Sequence, residues 1–135
     1  MRPPKQPTVC NLCNGRVQRV SNAVIYGRAY GSKLAYRCNR CLAYVGTHHN
    51  GDALGLLSNQ SMRYKKRECH RLFDPIWKKG RLTRSGCYIR LAMRLGIEDE
   101  LCHFGYFNDA ELDMVLDVLK HEKWWEEPIC VNMEG

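Results

Sequence analysis

The chain has 135 residues, 44% of them apolar, and a formal net charge of +7. That suffices for one compact domain, or for a small metal module joined to a small helical one. It leaves no room for a membrane-spanning helix, because no stretch approaches the ~18 apolar residues such a span needs.

The N-terminus, Met-Arg-Pro-Pro-Lys-Gln-Pro, lacks the apolar run of a secretory signal. The expected location is therefore the cytoplasm, with no membrane partner. There, eight cysteines point to metal before disulfides. Residues 1–94 hold nineteen Lys/Arg against three acids, a balance of +16, whereas residues 95–135 hold two lysines against eleven acids, a balance of −9. This asymmetry fits a polyanionic partner for the first part; the plain alternative is that the two parts neutralise each other within one fold.

Residues 1–9 carry three prolines and read as a flexible tail. The runs Arg16–Val20, Ala23–Tyr26, Leu34–Arg37 and Ala43–Val45 predict short strands, separated by glycines and Cys-x-x-Cys pairs. A helix is predicted from about Gln60 to Phe73, with an apolar stripe of Met62, Cys69, Leu72 and Phe73. Pro75 either kinks it or starts a second short helix capped by Asp74. The next helix is predicted to start near Thr83–Ser85 and to stop at Gly96. Residues 97–107 read as an irregular or briefly helical linker. Asn108 with Glu111 forms a capping-box pattern ahead of Leu112, Val115, Leu116 and Leu119. From about Trp124 the chain is acidic and expected to fray, and removal of residues 128–135 is expected to leave folding intact.

Cys10-Asn11-Leu12-Cys13 and Cys38-Asn39-Arg40-Cys41 carry the clearest chemistry. A two-residue gap lets both thiolates of a pair reach one ion from a tight turn. Two such turns supply a sulfur tetrahedron at ~2.3 Å, which suits Zn2+. The 24 intervening residues are enough for a β-hairpin. An iron–sulfur cluster, a redox pair and disulfides are the alternatives. With four protein ligands no coordination position stays open, so the expected role is structural. His48, His49, His70 and His103 could build a second site in three dimensions, but their linear spacing does not show one. Isolated cysteines such as Cys69 are expected in the core.

Further along, Tyr26-Gly27-Arg28-Ala29-Tyr30, then Cys38 to Gly46 with His48 just after, and Leu54-Gly55-Leu56-Leu57 form a recognisable series. It continues through His70 to Lys78, Leu95-Gly96-Ile97 and Cys102-His103-Phe104-Gly105-Tyr106-Phe107. Spread in order over about residues 10–120, these resemble a small zinc-finger-containing family of unassigned function found in bacteria, phages and prophages. The resemblance implies a zinc ribbon followed by a helical part, and no established reaction. If the chain is phage-encoded, its location is the host cytoplasm.

The expected fold is α+β. A four-cysteine zinc-ribbon β-hairpin module covers residues 10–50, packed on a C-terminal part of three or four helices over residues 58–123, with an acidic tail at 124–135. The helices are expected to pack against the ribbon through Phe73, Ile76, Trp77, Leu91, Leu95 and Leu116.

On the first predicted helix Arg63, Lys66, Arg67, His70 and Arg71 share one face. Arg28, Arg37 and Arg40 add charge on the ribbon. Such a surface suits phosphates of DNA or RNA. Tyr26, Tyr30, Tyr36 and Tyr44 could stack on unpaired bases, or fill the small ribbon core. The leading expectation is a nucleic-acid-binding protein. The alternative is a protein-directed regulator or inhibitor of a host nucleoprotein machine, such as a defence system. A nuclease using His48, His49, His70 and Asp74 ranks below both, since no nuclease motif is recognisable and acids are scarce in the basic part.

Overall fold

The computed structural model describes residues 2–126. The chain runs β1 (Val17–Ser21), α1 (Ala23–Tyr26), β2 (Leu34–Cys38), β3 (Tyr44–Gly46), α2 (Gln60–Lys78), α3 (Arg84–Leu95) and α4 (Asp109–Leu119), with two short 3₁₀ turns, Asp99–Leu101 and Phe104–Tyr106, before α4. The strands form one antiparallel sheet in the order β1-β2-β3, with Val17 opposite Cys38 and Arg37 opposite Tyr44. The class is α+β, as expected.

Ala23–Tyr26, expected as a strand, is instead a single helical turn. Its β-branched residues are overruled by side-chain bonds to the backbone. Asn22 accepts from the Tyr30 N–H at 3.0 Å and donates to the Tyr30 carbonyl at 2.8 Å. Ser21 Oγ accepts from the Ala23 N–H at 3.2 Å. Gly27, at φ 85°, ends the turn in the left-handed conformation.

The three longer helices begin at side-chain caps. Asn59 accepts from the Met62 N–H, Thr83 from the Gly86 N–H, and Asn108 with Glu111 completes the capping box. Gly96, at φ 71°, closes α3. Pro75 lies inside α2 and does not divide it. One missing N–H is tolerated near the C-terminus because Phe73, Ile76 and Trp77 on this last stretch pack into the helical core. Asp74 therefore caps no second helix.

The described residues form two cores. The helical one is built on Met62, Phe73, Leu91, Phe104, Leu112 and Val115; the ribbon has its own, from Val17, Tyr36, Ala43, Val45 and Leu57 with Cys10 and Cys38. Phe73, Ile76, Trp77, Leu91, Leu95 and Leu116 thus serve the helical core and not a seam with the ribbon. Their stripes face neighbouring helices, which satisfy them without the sheet.

The segment between the cores joins them through its backbone. The Leu56 N–H donates to the Gly105 carbonyl at 2.9 Å, and Ser58 and Tyr44 exchange N–H···O bonds. Asn11 brackets Leu57 with two side-chain bonds of 3.0 Å. A Cβ on Gly55 would overlap the Gly105 carbonyl, so this close backbone approach requires glycine.

Both ends of the described chain are tied down. The Val17 N–H donates to the Thr8 carbonyl, the Ala53 N–H to the Lys5 carbonyl, and Pro7 is buried, so residues 5–9 line the ribbon. Trp124, expected at the start of a fraying end, is 5% exposed and stacks on Phe73 with ring centroids 5.8 Å apart. Residues 128–135 lie outside the described chain. Among the described residues, no helix is long and apolar enough to cross a membrane.

Candidate metal centre and basic cleft

The two Cys-x-x-Cys turns have the same backbone form. In the first, the Cys10 N–H donates to the Gly15 carbonyl and the Asn14 N–H to the Cys10 carbonyl. In the second, Cys38 donates to Ala43 and Leu42 to Cys38 in the same way. Asn14 and Leu42, the matching fifth residues, both take positive φ, 63° and 67°. That is an uncommon conformation for a non-glycine residue, here repeated at equivalent positions.

The turns aim four sulfurs at one point, with all ligand atoms within 4.8 Å of one another. Cys13 and Cys38 Sγ are 3.4 Å apart, and Cys10 and Cys41 Sγ 3.7 Å. Sulfurs of a tetrahedron with ~2.3 Å metal bonds are ~3.8 Å apart, close to these spacings. Backbone N–H groups of Leu12, Gly15 and Arg40 point at Cys10, Cys13 and Cys38 sulfurs at 3.3 Å, as suits thiolates. A Cβ at Gly15 would sit 2.8 Å from Cys38 Sγ, inside the cradle.

Thiol acidities in the cluster are pulled apart. For Cys38, burial acts upward but is outweighed by the N–H groups of Cys41 and Arg40, and the pKa falls to about 6. For Cys41, the Ala43 N–H acts downward, but burial and the crowding Cys13, Cys10 and Cys38 side chains push it up to about 12. Four sulfurs this close do not all ionise unless a cation sits among them. The donor set therefore fits a soft or borderline metal ion.

The remaining cysteines of the described chain, Cys69, Cys87 and Cys102, are buried in the helical core. Burial pushes the Cys69 and Cys102 thiols up to about 12, which keeps them protonated. Of the four candidate histidines, His48, His70 and His103 line one cleft and His49 does not. Among the described residues, only the four ribbon cysteines group ligand atoms closely enough for a metal.

That cleft, about 450 Å³, lies between ribbon and helices. Arg63, Lys66 and His70 of α2 form one wall, Arg84 and Tyr88 of α3 another, and Tyr44, His48 and Ser58 the ribbon side. Arg63 Nη1 donates to the Ser58 carbonyl at 2.7 Å, and Lys66 Nζ to Ser58 Oγ at 2.6 Å. Burial and the charge of Arg63 lower the Lys66 pKa. Among the described residues, no carboxylate lines the cleft and none pairs with Arg63, Lys66 or Arg84. Asp74, which does not line the cleft, receives a hydrogen bond from Trp77 Nε1 at 3.1 Å and meets His70 Nδ1 at 3.2 Å.

The expected basic face is thus divided. Arg63, Lys66 and His70 enter the cleft, while Arg67 is exposed outside it and Arg71 pairs with Glu68 at 2.8 Å. On the ribbon, Arg28 lies over Tyr30, Arg40 donates to the Cys13 carbonyl at 3.2 Å, and Arg37 is half-buried on β2. The tyrosines divide too. Tyr36 fills the ribbon core and donates to the Gly51 carbonyl, whereas Tyr26 and Tyr30 are exposed.

Arg84, Tyr88 and Ser58 are cleft residues that no motif or spacing in the sequence singled out. Arg84 carried a usable signal. It opens α3 just after the Thr83 cap, with no acid in the first turn, where the helix dipole disfavours a cation.

Fold and site together define a small α+β protein built on paired cysteine knuckles of zinc-finger type. The chain belongs to the zinc-finger-containing domain family, whose profile matches residues 6–122. No curated protein and no solved structure gave a significant match.

Proposed function

We propose that this chain is a zinc-stabilised protein that binds nucleic acid through its interdomain cleft. Cys10, Cys13, Cys38 and Cys41 hold one Zn2+ in a closed, structural site. The ion, when bound, locks the two knuckles together and so orients the ribbon. An all-cysteine metal site needs its thiols reduced, which suits a reducing compartment such as the cytoplasm.

The observation that carries the nucleic-acid reading is the cleft wall: half-buried Arg63 and Lys66 with exposed Arg84, none of them matched by a carboxylate among the described residues. Arg63 and Lys66 repel each other, and burial adds a desolvation cost to Lys66. A phosphate backbone would relieve both and release counterions. Protein neutralisation accounts for another part of the charge: Lys65, on a different face of α2, bridges Asp109 and Asp113 of α4.

The test is fluorescence anisotropy with labelled oligonucleotides across a salt series. Binding should be firm at about 50 mM salt and fall steeply as salt rises. Replacing Arg63, Lys66 and Arg84 together by Gln should lower the log–log slope by about two units. Absence of binding to any oligonucleotide at that salt would refute the proposal. Retention of a stoichiometric protein from nuclease-treated lysate would then favour the regulator reading.

A further inference from the structure

The exposed tyrosines of the ribbon extend the cleft outward. Tyr26 and Tyr30 are 53% and 48% exposed, unusual for large rings in so small a module. They are not loosely placed. Arg28 Nε donates to Tyr30 Oη at 2.8 Å, with the guanidinium carbon 4.9 Å from the ring centroid. Tyr30 meets Tyr26 edge-on at 5.9 Å, and Tyr26 meets Tyr44 edge-on at 6.3 Å. Arg63 then covers Tyr44 at 4.3 Å. Each edge-to-face contact takes a face of only one ring of the pair, and Tyr26 and Tyr30 remain about half exposed.

The series of cations and rings continues inside. Beyond Arg63 comes Lys66, and across the cleft Arg84 lies 5.1 Å from the Tyr88 ring. A continuous band of cations and aromatic rings therefore runs from Arg28 on the ribbon to Arg84 on α3. Among the described residues, no carboxylate pairs with any cation in this band.

Charge alone would suit either form of nucleic acid. The open rings discriminate. In a duplex the base faces are already stacked on one another, and only phosphates and groove edges reach a protein surface. In a single strand each base offers a free face, and sequence-tolerant stacking adds to phosphate contacts. Resting on the nucleic-acid reading above, we infer that the ligand is single-stranded, its bases stacking on Tyr26 and Tyr30 and its phosphates entering the cleft along Arg63, Lys66 and Arg84.

The experiment uses the intact, zinc-loaded protein with single strands and duplexes of equal length at one salt concentration. Single strands should bind at least about tenfold more tightly. Changing Tyr26 and Tyr30 together to Ala should weaken single-strand binding by about tenfold or more, while duplex binding and the salt slope stay unchanged, because the rings carry no charge. The Tyr26→Phe, Tyr30→Phe pair keeps both rings and should retain most of the affinity. Duplex binding equal to or tighter than single-strand binding overturns the inference but leaves the nucleic-acid reading standing. So does unchanged single-strand binding in a folded double-Ala variant. Failure of both forms to bind removes both. The strand-against-duplex comparison on the unaltered protein decides the matter even if the double-Ala variant does not fold.

Discussion

Arg63 of α2 lies 4.3 Å over the ring of Tyr44 in β3, so one side chain links the helical part to the ribbon. Its guanidinium also donates to the Ser58 carbonyl in the joining segment. The cation that helps line the cleft therefore also helps hold it open at its present width. Any variant of Arg63 removes a charge and a strut together, which governs how charge substitutions here are to be compared.

Purified protein should contain one zinc per chain by elemental analysis. Cys38→Ser should abolish the stoichiometric metal and the ordered ribbon, because structural zinc contributes roughly 10 kcal/mol or more in small metal modules. The ribbon core, mainly Val17, Tyr36, Ala43, Val45 and Leu57, cannot replace that. Folded, soluble protein with no metal would overturn the assignment. Two zinc ions per chain would instead direct attention to His48, His70 and His103.

Trp124→Ala should destabilise the fold by about 3–5 kcal/mol, as deletion of a buried indole does. The ring is stacked on Phe73, and the Trp124 carbonyl accepts from Arg94 Nε at 2.9 Å. A thermal melt should show Tm lowered by roughly 10 °C or more. A shift of only a degree or two would mean that the end of the described chain does not contribute to the helical core.

Gly55→Ala should loosen the joint between the two cores. The new methyl would collide with Gly105, whose carbonyl carbon lies 2.8 Å from the Cβ position. Backbone on both sides must move, and the Leu56 N–H to Gly105 bond is the first casualty. Destabilisation of about 1–3 kcal/mol is expected from overpacking of this kind. Chemical denaturation in urea measures it, and an unchanged midpoint would contradict the close approach.

The features that could be read from sequence are those made by neighbours along the chain. Cys10 to Cys13 and Cys38 to Cys41 announce their knuckles through a local spacing. Thr83, Asn108 and Glu111 announce helix starts because a cap is a bond spanning three residues. What escaped depends on distant partners. The Ala23–Tyr26 turn is set by Asn22 reaching Tyr30, eight residues away. α2 continues past Pro75 because tertiary burial of its last turns outweighs one lost donor. The cleft draws His48, Lys66, Arg84 and His103 from four separate segments, and no periodicity within one segment can reveal that.

The contact between the basic and acidic parts should show in acid. Lys65 Nζ lies 2.9 Å from both Asp109 and Asp113. The Lys65 hydrogen bond, with a second from Ser61, holds the Asp109 pKa below its ordinary value. A carboxyl depressed in the folded state contributes stability above its unfolded pKa, about 3.9, and loses it as pH falls through the lower folded value. Lys65→Met should therefore lower the urea midpoint at pH 7, and the gap to the unaltered protein should shrink below about pH 4. The two carboxylates are exposed to solvent, so the effect is modest. A gap that stays constant down to pH 3 would show that Lys65 acts through packing and not through charge.

Comparison of Arg84 with Arg71 separates charge in the cleft from charge on the helix surface. Both are cations on amphipathic helices. Arg71 is already neutralised by Glu68, with Nε and Nη2 donating at 3.0 and 2.8 Å, and it stands outside the cleft. Arg84 meets only the rings of Trp77 and Tyr88 among the described contacts, and it lines the cleft. It carries no link to the ribbon of the kind Arg63 makes, so its loss should not change the cleft's width. Arg84→Gln should lower the salt slope of oligonucleotide binding by about 0.7–0.9, the value for one phosphate contact. Arg71→Gln should leave the slope unchanged and shift thermal stability little, since an exposed pair at this spacing contributes about 0.3–0.5 kcal/mol. Arg63→Gln should lower the slope and also weaken binding beyond the charge lost, because the strut to Tyr44 goes with it. Equal effects of Arg71 and Arg84 would mean that the partner reads diffuse charge over the whole helical face. A larger effect of Arg71 would place the contact on the outer face of α2, away from the cleft.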